Sequence, residues 1–193
     1  TTDRLIHTLA TNPKVCRHFH LPVQSGSNAV LKAMRRRYTR EEYIGLIERL
    51  RANVPGIAVS TDMIVGFPGE TADDFEETLD LVRRVRFQFM YSFKYSPRPN
   101  TLADKRMSDD VPEAEKTRRI VELQRVQGDI QREIFEGMVG DVVEVLVEGA
   151  SRRREWELTG RTSGWAAVNF EGDSTLVGQL VSVRVTAAAP NSV

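Results

Sequence analysis

The sequence predicts an α/β chain. Parallel strands alternating with helices run through residue 134, and a small all-β barrel follows over residues 135–193. Three observations carry this. Stretches 17–23, 57–65 and 87–95 are rich in β-branched, aromatic and aliphatic residues and recur every 30 to 40 residues, the interval of a strand-helix unit. The segments between them have helical periodicity. From about Gly137 the helical pattern stops and short alternating runs are separated by Gly149, Gly160, Gly164, Gly172 and Gly178, the grammar of a small barrel.

In chain order, residues 28–36 and 40–53 read as helices, the second with Ile44, Ile47, Leu50 and Val54 on one buried face. Thr71 followed by Asp74 is a capping-box variant that opens a third helix, with Phe75, Leu79 and Val82 on its inner stripe. A fourth begins near Pro112, a residue tolerated in a first helical turn, and carries Ile120, Leu123, Ile130 and Ile134. Residues 141–147, 157–161, 165–170 and 180–186 are the predicted strands of the last part.

Composition bounds the rest. The chain has 193 residues, 27 basic against 27 acidic, and a single cysteine, Cys16. Residues 1–134 carry 22 basic and 19 acidic side chains and residues 135–193 carry 5 and 8, so nucleic-acid binding would rest on local patches rather than net charge. No apolar run approaches the roughly 20 residues of a membrane span, and Thr1 opens no charged-then-apolar leader. The expectation is a soluble cytoplasmic protein with no membrane partner, in which Cys16 forms no internal disulfide.

The strand faces point to a wet or ligand-lined surface. A parallel sheet covered on both sides has nearly continuous apolar strands, yet His18, His20, Pro22 and Gln24 alternate with Phe19, Leu21 and Val23. Ser60, Asp62, Ile64 and Gly66 likewise alternate with Val59, Thr61, Met63 and Val65. On the third strand Gln88, Met90, Ser92 and Lys94 are expected on the open face, with Phe87, Phe89, Tyr91 and Phe93 packed on helices. A curved sheet or partial barrel with a polar lumen fits this pattern. His18 is read as structural; His20 and Lys94 stand equally as structural or substrate-side residues.

Four motifs in order, HLPVQSGS (20–27), MRRRYT (34–39), STDMIVGFPGET (60–71) and YSFKYSPRPNTLA (91–103), with a final part opening GMVGDVVEVLVEG (137–149), resemble the radical S-adenosylmethionine methylthiotransferases. The resemblance covers nearly the whole chain. It is closest to the MiaB type, which acts on isopentenylated adenosine beside the tRNA anticodon. Sister types act on threonylcarbamoyladenosine tRNA or a ribosomal protein, and a non-catalytic RNA-binding module is the reading from another class. The first part is then expected to be the later portion of a TIM-like radical SAM barrel, and the second a TRAM domain that binds RNA.

The resemblance implies S-adenosylmethionine as cofactor and two [4Fe-4S] clusters whose ligands lie outside this chain, since Cys16 alone cannot hold one. The chain is accordingly read as a fragment of a longer enzyme and as inactive by itself. Gln24 and Asp62 are implied to bind the cofactor's ribose hydroxyls, Arg36 its carboxylate, and Ile64 and Val65 its adenine. Arg35 and Arg37 are expected to point elsewhere. Asn100 stands where the family usually has glycine, in a turn expected to survive because asparagine tolerates the left-handed conformation. His20, Lys94, Arg98, Arg152, Arg153, Arg154 and Arg161 are the substrate-side candidates, with tRNA as the expected partner. Trp156 and Trp165 are read either as barrel core or as RNA-stacking aromatics. The residues name no catalytic side chain, metal ligand, reductant or sulfur donor.

Overall fold

The structure, a computed structural model, describes residues 2–151, 154 and 156–193. The first part contains α1 (Asp3–Thr11), β1 (His18–His20), α2 (Asn28–Ala33), α3 (Arg40–Asn53), β2 (Ala58–Val65), α4 (Ala72–Val85), β3 (Phe89–Lys94), α5 (Leu102–Arg106) and α6 (Glu113–Glu136). The last part contains β4 (Val142–Ala150), β5 (Glu157–Thr162), β6 (Ala167–Glu171) and β7 (Leu180–Arg184). The mixed α/β class predicted from the sequence holds, and no described helix is long and apolar enough to cross a membrane.

Contacts divide the chain into two compact units. One comprises 20–52 and 59–130, the other 1–19, 53–58 and 131–193. The three strands of the first part lie in the order β1-β2-β3, and β2 pairs with β3 in parallel. α3 buries Ile44, Ile47 and Leu50, and α4 buries Phe75, Leu79 and Val82, the stripes that periodicity marks. The α4 capping box is formed: Thr71 accepts from the Asp74 N–H, and Asp74 accepts from the Thr71 N–H at 2.9 Å.

α6 departs from its apolar reading. Leu123 and Ile130 are buried, but so are Lys116, Arg119 and Gln127, while Ile120 is only half-buried. This helix meets the sheet through polar contacts as well as methylenes. Gln124 donates to Ser92 at 2.9 Å, Gln127 donates to the Phe87 carbonyl at 2.8 Å, and Lys94 pairs with Glu113. A side chain that bonds backbone or strand hydroxyls can occupy a buried helix face at little net cost, and hydrophobic periodicity does not register it.

In the other unit, β4 to β7 form a four-stranded antiparallel sheet in the order β6-β5-β4-β7. Val145, Val147, Leu158, Val168 and Val185 are its buried residues. The chain end adds to it, since Val193 exchanges backbone hydrogen bonds with Ala167 and Asn169. Trp156 and Trp165 are 64% and 42% exposed, which removes the core reading for both.

Candidate functional site

The site lies at the ends of β2 and β3, where strands hand over to turns. Gln24, just beyond β1, has φ 75°, in the left-handed region. Its N–H donates to the Asp62 carbonyl and its own carbonyl accepts from the Ile64 N–H, both at 2.9 Å. The backbone there is held to β2, and Gln24 lines a cavity together with Asp62 and Ile64.

That cavity has a volume of about 720 Å³, within the roughly 300–1,000 Å³ common for small-molecule sites. Gln24, Asp62, Ile64, Arg36, Lys94 and Arg98 all line it. Six residues singled out from four separate stretches of sequence are therefore brought together. Phe67, Phe93, Tyr95 and Leu102 complete an apolar portion of the wall.

His20 stands beside the cavity, its Nε2 3.4 Å from Asp62 Oδ1 and its Nδ1 2.9 Å from Ser60 Oγ. Among the described residues no donor is bonded to the second Asp62 carboxylate oxygen. Arg36 is exposed and, among the described residues, forms no salt bridge, so its guanidinium is available for a carboxylate. Arg35 also lines the cavity, contrary to expectation. α2 ends at Ala33 rather than near Arg36, and Arg35 has φ 60°, so helical geometry does not govern where these arginines point. Arg37 borders a separate surface groove that Arg36 also reaches.

Two expectations are corrected by strand geometry. Val65 is completely buried and does not line the cavity, because successive residues of β2 alternate faces and Ile64 takes the open one. On β3 the faces are opposite to those expected. Asp62 is in register with Tyr91 and Ile64 with Phe93, and paired residues in a sheet project to the same side. Tyr91 and Phe93, 54% and 53% exposed, occupy the open face. Ser92 and Lys94 turn toward α6, where Lys94 is bound by Glu113 and lies 3.3 Å from Thr117 Oγ1. Lys94 touches the cavity margin with its charge already paired. The Tyr91 ring meets His20 edge-on at 6.0 Å.

The turn after β2 is tightly organised. Gly66 and Gly69 have φ 71° and 80°. The Glu70 carboxylate accepts from the Gly66 N–H and, at 3.0 Å, from the Phe67 N–H. Burial pushes the Glu70 carboxyl up despite the nearby Arg119 guanidinium and these backbone donors. After β3, Asn100 has φ 71°, so the expected left-handed turn is present, and Thr101 caps α5. Ser25, Gly26 and Ser27 face α4 rather than the cavity: the Gly26 N–H donates to Thr78 Oγ1 at 3.0 Å, and a Cβ there would stand 2.5 Å from the Thr78 Cα.

In the other unit Arg161 lies over the Trp165 ring, 4.6 Å from its centroid, and His18 stacks on the same indole at 5.9 Å. Arg154 pairs with Glu157 at 2.8 Å. Arg152 and Arg153 lie outside the described residues. Cys16 is exposed, and one thiol does not fit a [4Fe-4S] cluster, which takes several.

Residues 1–82 match the radical SAM superfamily and residues 136–193 match the TRAM domain. The chain is 50% identical over 185 residues to a protein of Carboxydothermus hydrogenoformans named tRNA-2-methylthio-N(6)-dimethylallyladenosine synthase, covering 96% of this chain and 42% of that protein. Proteins of the same name from Acetivibrio thermocellus and Syntrophotalea carbinolica are 50% and 48% identical, over 95% and 99% of this chain and 38% and 43% of their own lengths. The chain thus spans about two fifths of the length of these relatives.

Proposed function

We propose, starting from a chain that belongs to the radical SAM superfamily and carries a TRAM domain, that it supplies the cofactor cavity and the RNA-binding part of a tRNA methylthiotransferase. The reaction is methylthiolation at C2 of N6-isopentenyladenosine in cytoplasmic tRNA. The similar proteins named above carry that activity in their names. We place the division of labour at residue 134, with cofactor binding before it and RNA binding over 135–193.

The observation that carries the reading is the convergence of Gln24, Arg36, Asp62 and Ile64 on one cavity. Its donor set fits S-adenosylmethionine. The second Asp62 oxygen would accept from a ribose hydroxyl, and the Gln24 amide could donate or accept beside it. Arg36 would hold the amino-acid carboxylate, for which its guanidinium fork is suited. Ile64 and Phe67 offer apolar surface to a purine. S-adenosylmethionine, when bound, supplies a hydrogen-abstracting radical and a methyl group; the residues here bind it, orient it and exclude water. The [4Fe-4S] clusters do not fit this chain's residues, whose one thiol is Cys16.

Tyr91 and Phe93 present flat aromatic surface on the open face, in register with Asp62 and Ile64, which suits a prenylated base held next to the cofactor. His20 and Arg98 flank the same region. Arg154 and Arg161, together with Arg152 and Arg153 of the same sequence stretch, are proposed to meet tRNA phosphates.

The test is binding of S-adenosylmethionine by titration calorimetry to the parent enzyme and to its Arg36→Ala and Asp62→Ala variants. Each substitution should weaken binding roughly tenfold to a hundredfold, the equivalent of losing a charge-assisted hydrogen bond. Equal affinity in both variants and the parent would refute the cavity assignment. Nucleoside mass spectrometry of tRNA from a strain lacking the gene should show loss of the methylthio-isopentenyl nucleoside.

A further inference from the structure

Two buried cations sit one turn apart on α6, Lys116 at 3% and Arg119 at 5% exposure. Neither lines the cavity. Removing two cations from water costs several kcal/mol each, and apolar residues at such positions are often as stabilising as paired charges. Packing alone therefore gives no reason for charge at both sites, and what the two side chains hold supplies one.

Lys116 reaches three chain segments. Its stem crosses Gly66 so closely that a Cβ there would collide with the Lys116 Cγ. Its ammonium is 2.6 Å from both carboxylate oxygens of Asp109, 3.5 Å from the Tyr95 carbonyl, and 5.4 Å from the Tyr95 ring centroid. Arg119 donates to the Glu70 carbonyl at 3.0 Å and lies 3.5 Å from its carboxylate. Glu70 in turn accepts from the Gly66 and Phe67 N–H groups. Phe67 and Tyr95 meet edge-to-face at 5.1 Å, and both rings line the cavity. The 107–112 segment closes the arrangement, because the Gly69 N–H donates to Asp110 at 2.7 Å.

We propose that Lys116 is a positioning residue that holds the turn after β2 against the turn after β3, while Arg119 fixes Glu70 within the turn after β2, and that Lys116 so sets the Phe67–Tyr95 wall of the cofactor cavity. The inference rests on the reading of that cavity as the S-adenosylmethionine site. Lys116 acts through Gly66, Asp109 and Tyr95; Arg119, itself anchored to Glu115 at 2.7 Å, acts through Glu70. Removing the Lys116 charge lets the two turns separate, and the wall loses its fit to the ligand.

The experiment uses the full-length parent with Lys116→Met, which keeps an apolar stem and removes the charge, and Asp109→Asn, which keeps the side-chain shape at an exposed position and removes the carboxylate charge. Asp62→Ala serves as the control for the site itself. Calorimetric affinity for S-adenosylmethionine, steady-state KM and kcat, KM for tRNA, and thermal midpoint are measured for each. Lys116→Met should weaken cofactor affinity about tenfold and Asp109→Asn severalfold. KM for S-adenosylmethionine should rise while kcat at saturating cofactor and KM for tRNA hold. A purely structural role would lower the thermal midpoint and the active fraction at every cofactor concentration, leaving KM unchanged, and would overturn the inference. If Lys116→Met does not fold, Asp109→Asn decides by the same criterion. Asp62→Ala weakening the cofactor while the other two variants bind normally would overturn the inference alone. Normal binding by all three would overturn the cavity assignment beneath it.

Discussion

The Gln24 N–H donates to the Asp62 carbonyl at 2.9 Å while Gln24 holds φ at 75°. A non-glycine residue in this region costs about 1–3 kcal/mol and persists only where its surroundings over-determine it, and here β2 bonds the residue on both its N–H and its carbonyl. Gln24 and Asp62 line the same cavity. Gln24→Gly should remove the strain and keep the thermal midpoint at or above that of the parent, yet weaken S-adenosylmethionine binding about tenfold through loss of the amide. Denaturant melts and calorimetry read the two effects separately; unchanged affinity would make Gln24 a structural residue.

Tyr91 is exposed and in register with Asp62. Surface substitutions of this kind usually stay within about 0.5 kcal/mol of the parent in stability. Tyr91→Ser should therefore melt normally but raise KM for tRNA about tenfold, the scale of one lost base-stacking contact. Steady-state kinetics with isopentenylated tRNA check this.

Gly66 combines φ 71° with the crossing Lys116 stem. Gly66→Ala meets both a conformational and a steric penalty and should destabilise by about 2–4 kcal/mol. Gly69 has φ 80° and open space where a Cβ would stand, so Gly69→Ala should cost only the conformational part, about 1 kcal/mol. Urea melts of the two variants compare them directly.

The Glu115 carboxyl is lowered to about 2 by hydrogen bonds from Arg118 and then Arg119. Its folded-state value lies below the unfolded one. It contributes stability that is fully present above pH 4.5 and lost as pH falls toward about 2. Glu115→Gln should flatten the acid limb of the stability profile across that window and leave the profile near neutrality parallel to the parent's. Chemical denaturation at a series of pH values measures both.

Half-buried Arg161 and exposed Trp165 form a cation-π pair, with Arg161 also 3.6 Å from the Glu148 carboxylate. Arg161→Ala should weaken tRNA binding and reduce its salt dependence by about one counterion, while S-adenosylmethionine affinity stays at the parental value. Filter binding across a salt series tests this, and an unchanged salt slope would remove Arg161 from the RNA contact.

Much of this protein is determined by local sequence. Period-two alternation locates β2 and β3, helical spacing marks the buried faces of α3 and α4, and Thr71 with Asp74 names a cap that forms. The motif residues Gln24, Arg36, Asp62 and Ile64 are identifiable without sight of their convergence. Only the tertiary structure decided which side of β3 is open. Alternation separates two faces, but the choice between them depends on what covers each. Here α6, from more than 18 residues downstream, covers the Ser92 and Lys94 face with polar partners and leaves Tyr91 and Phe93 toward the open side. The buried roles of Lys116 and Arg119 are hidden in the sequence for the same reason. A charge in a helical sequence reads as surface, and its burial becomes favourable only where folding brings Asp109, Glu70 and the turn carbonyls around it.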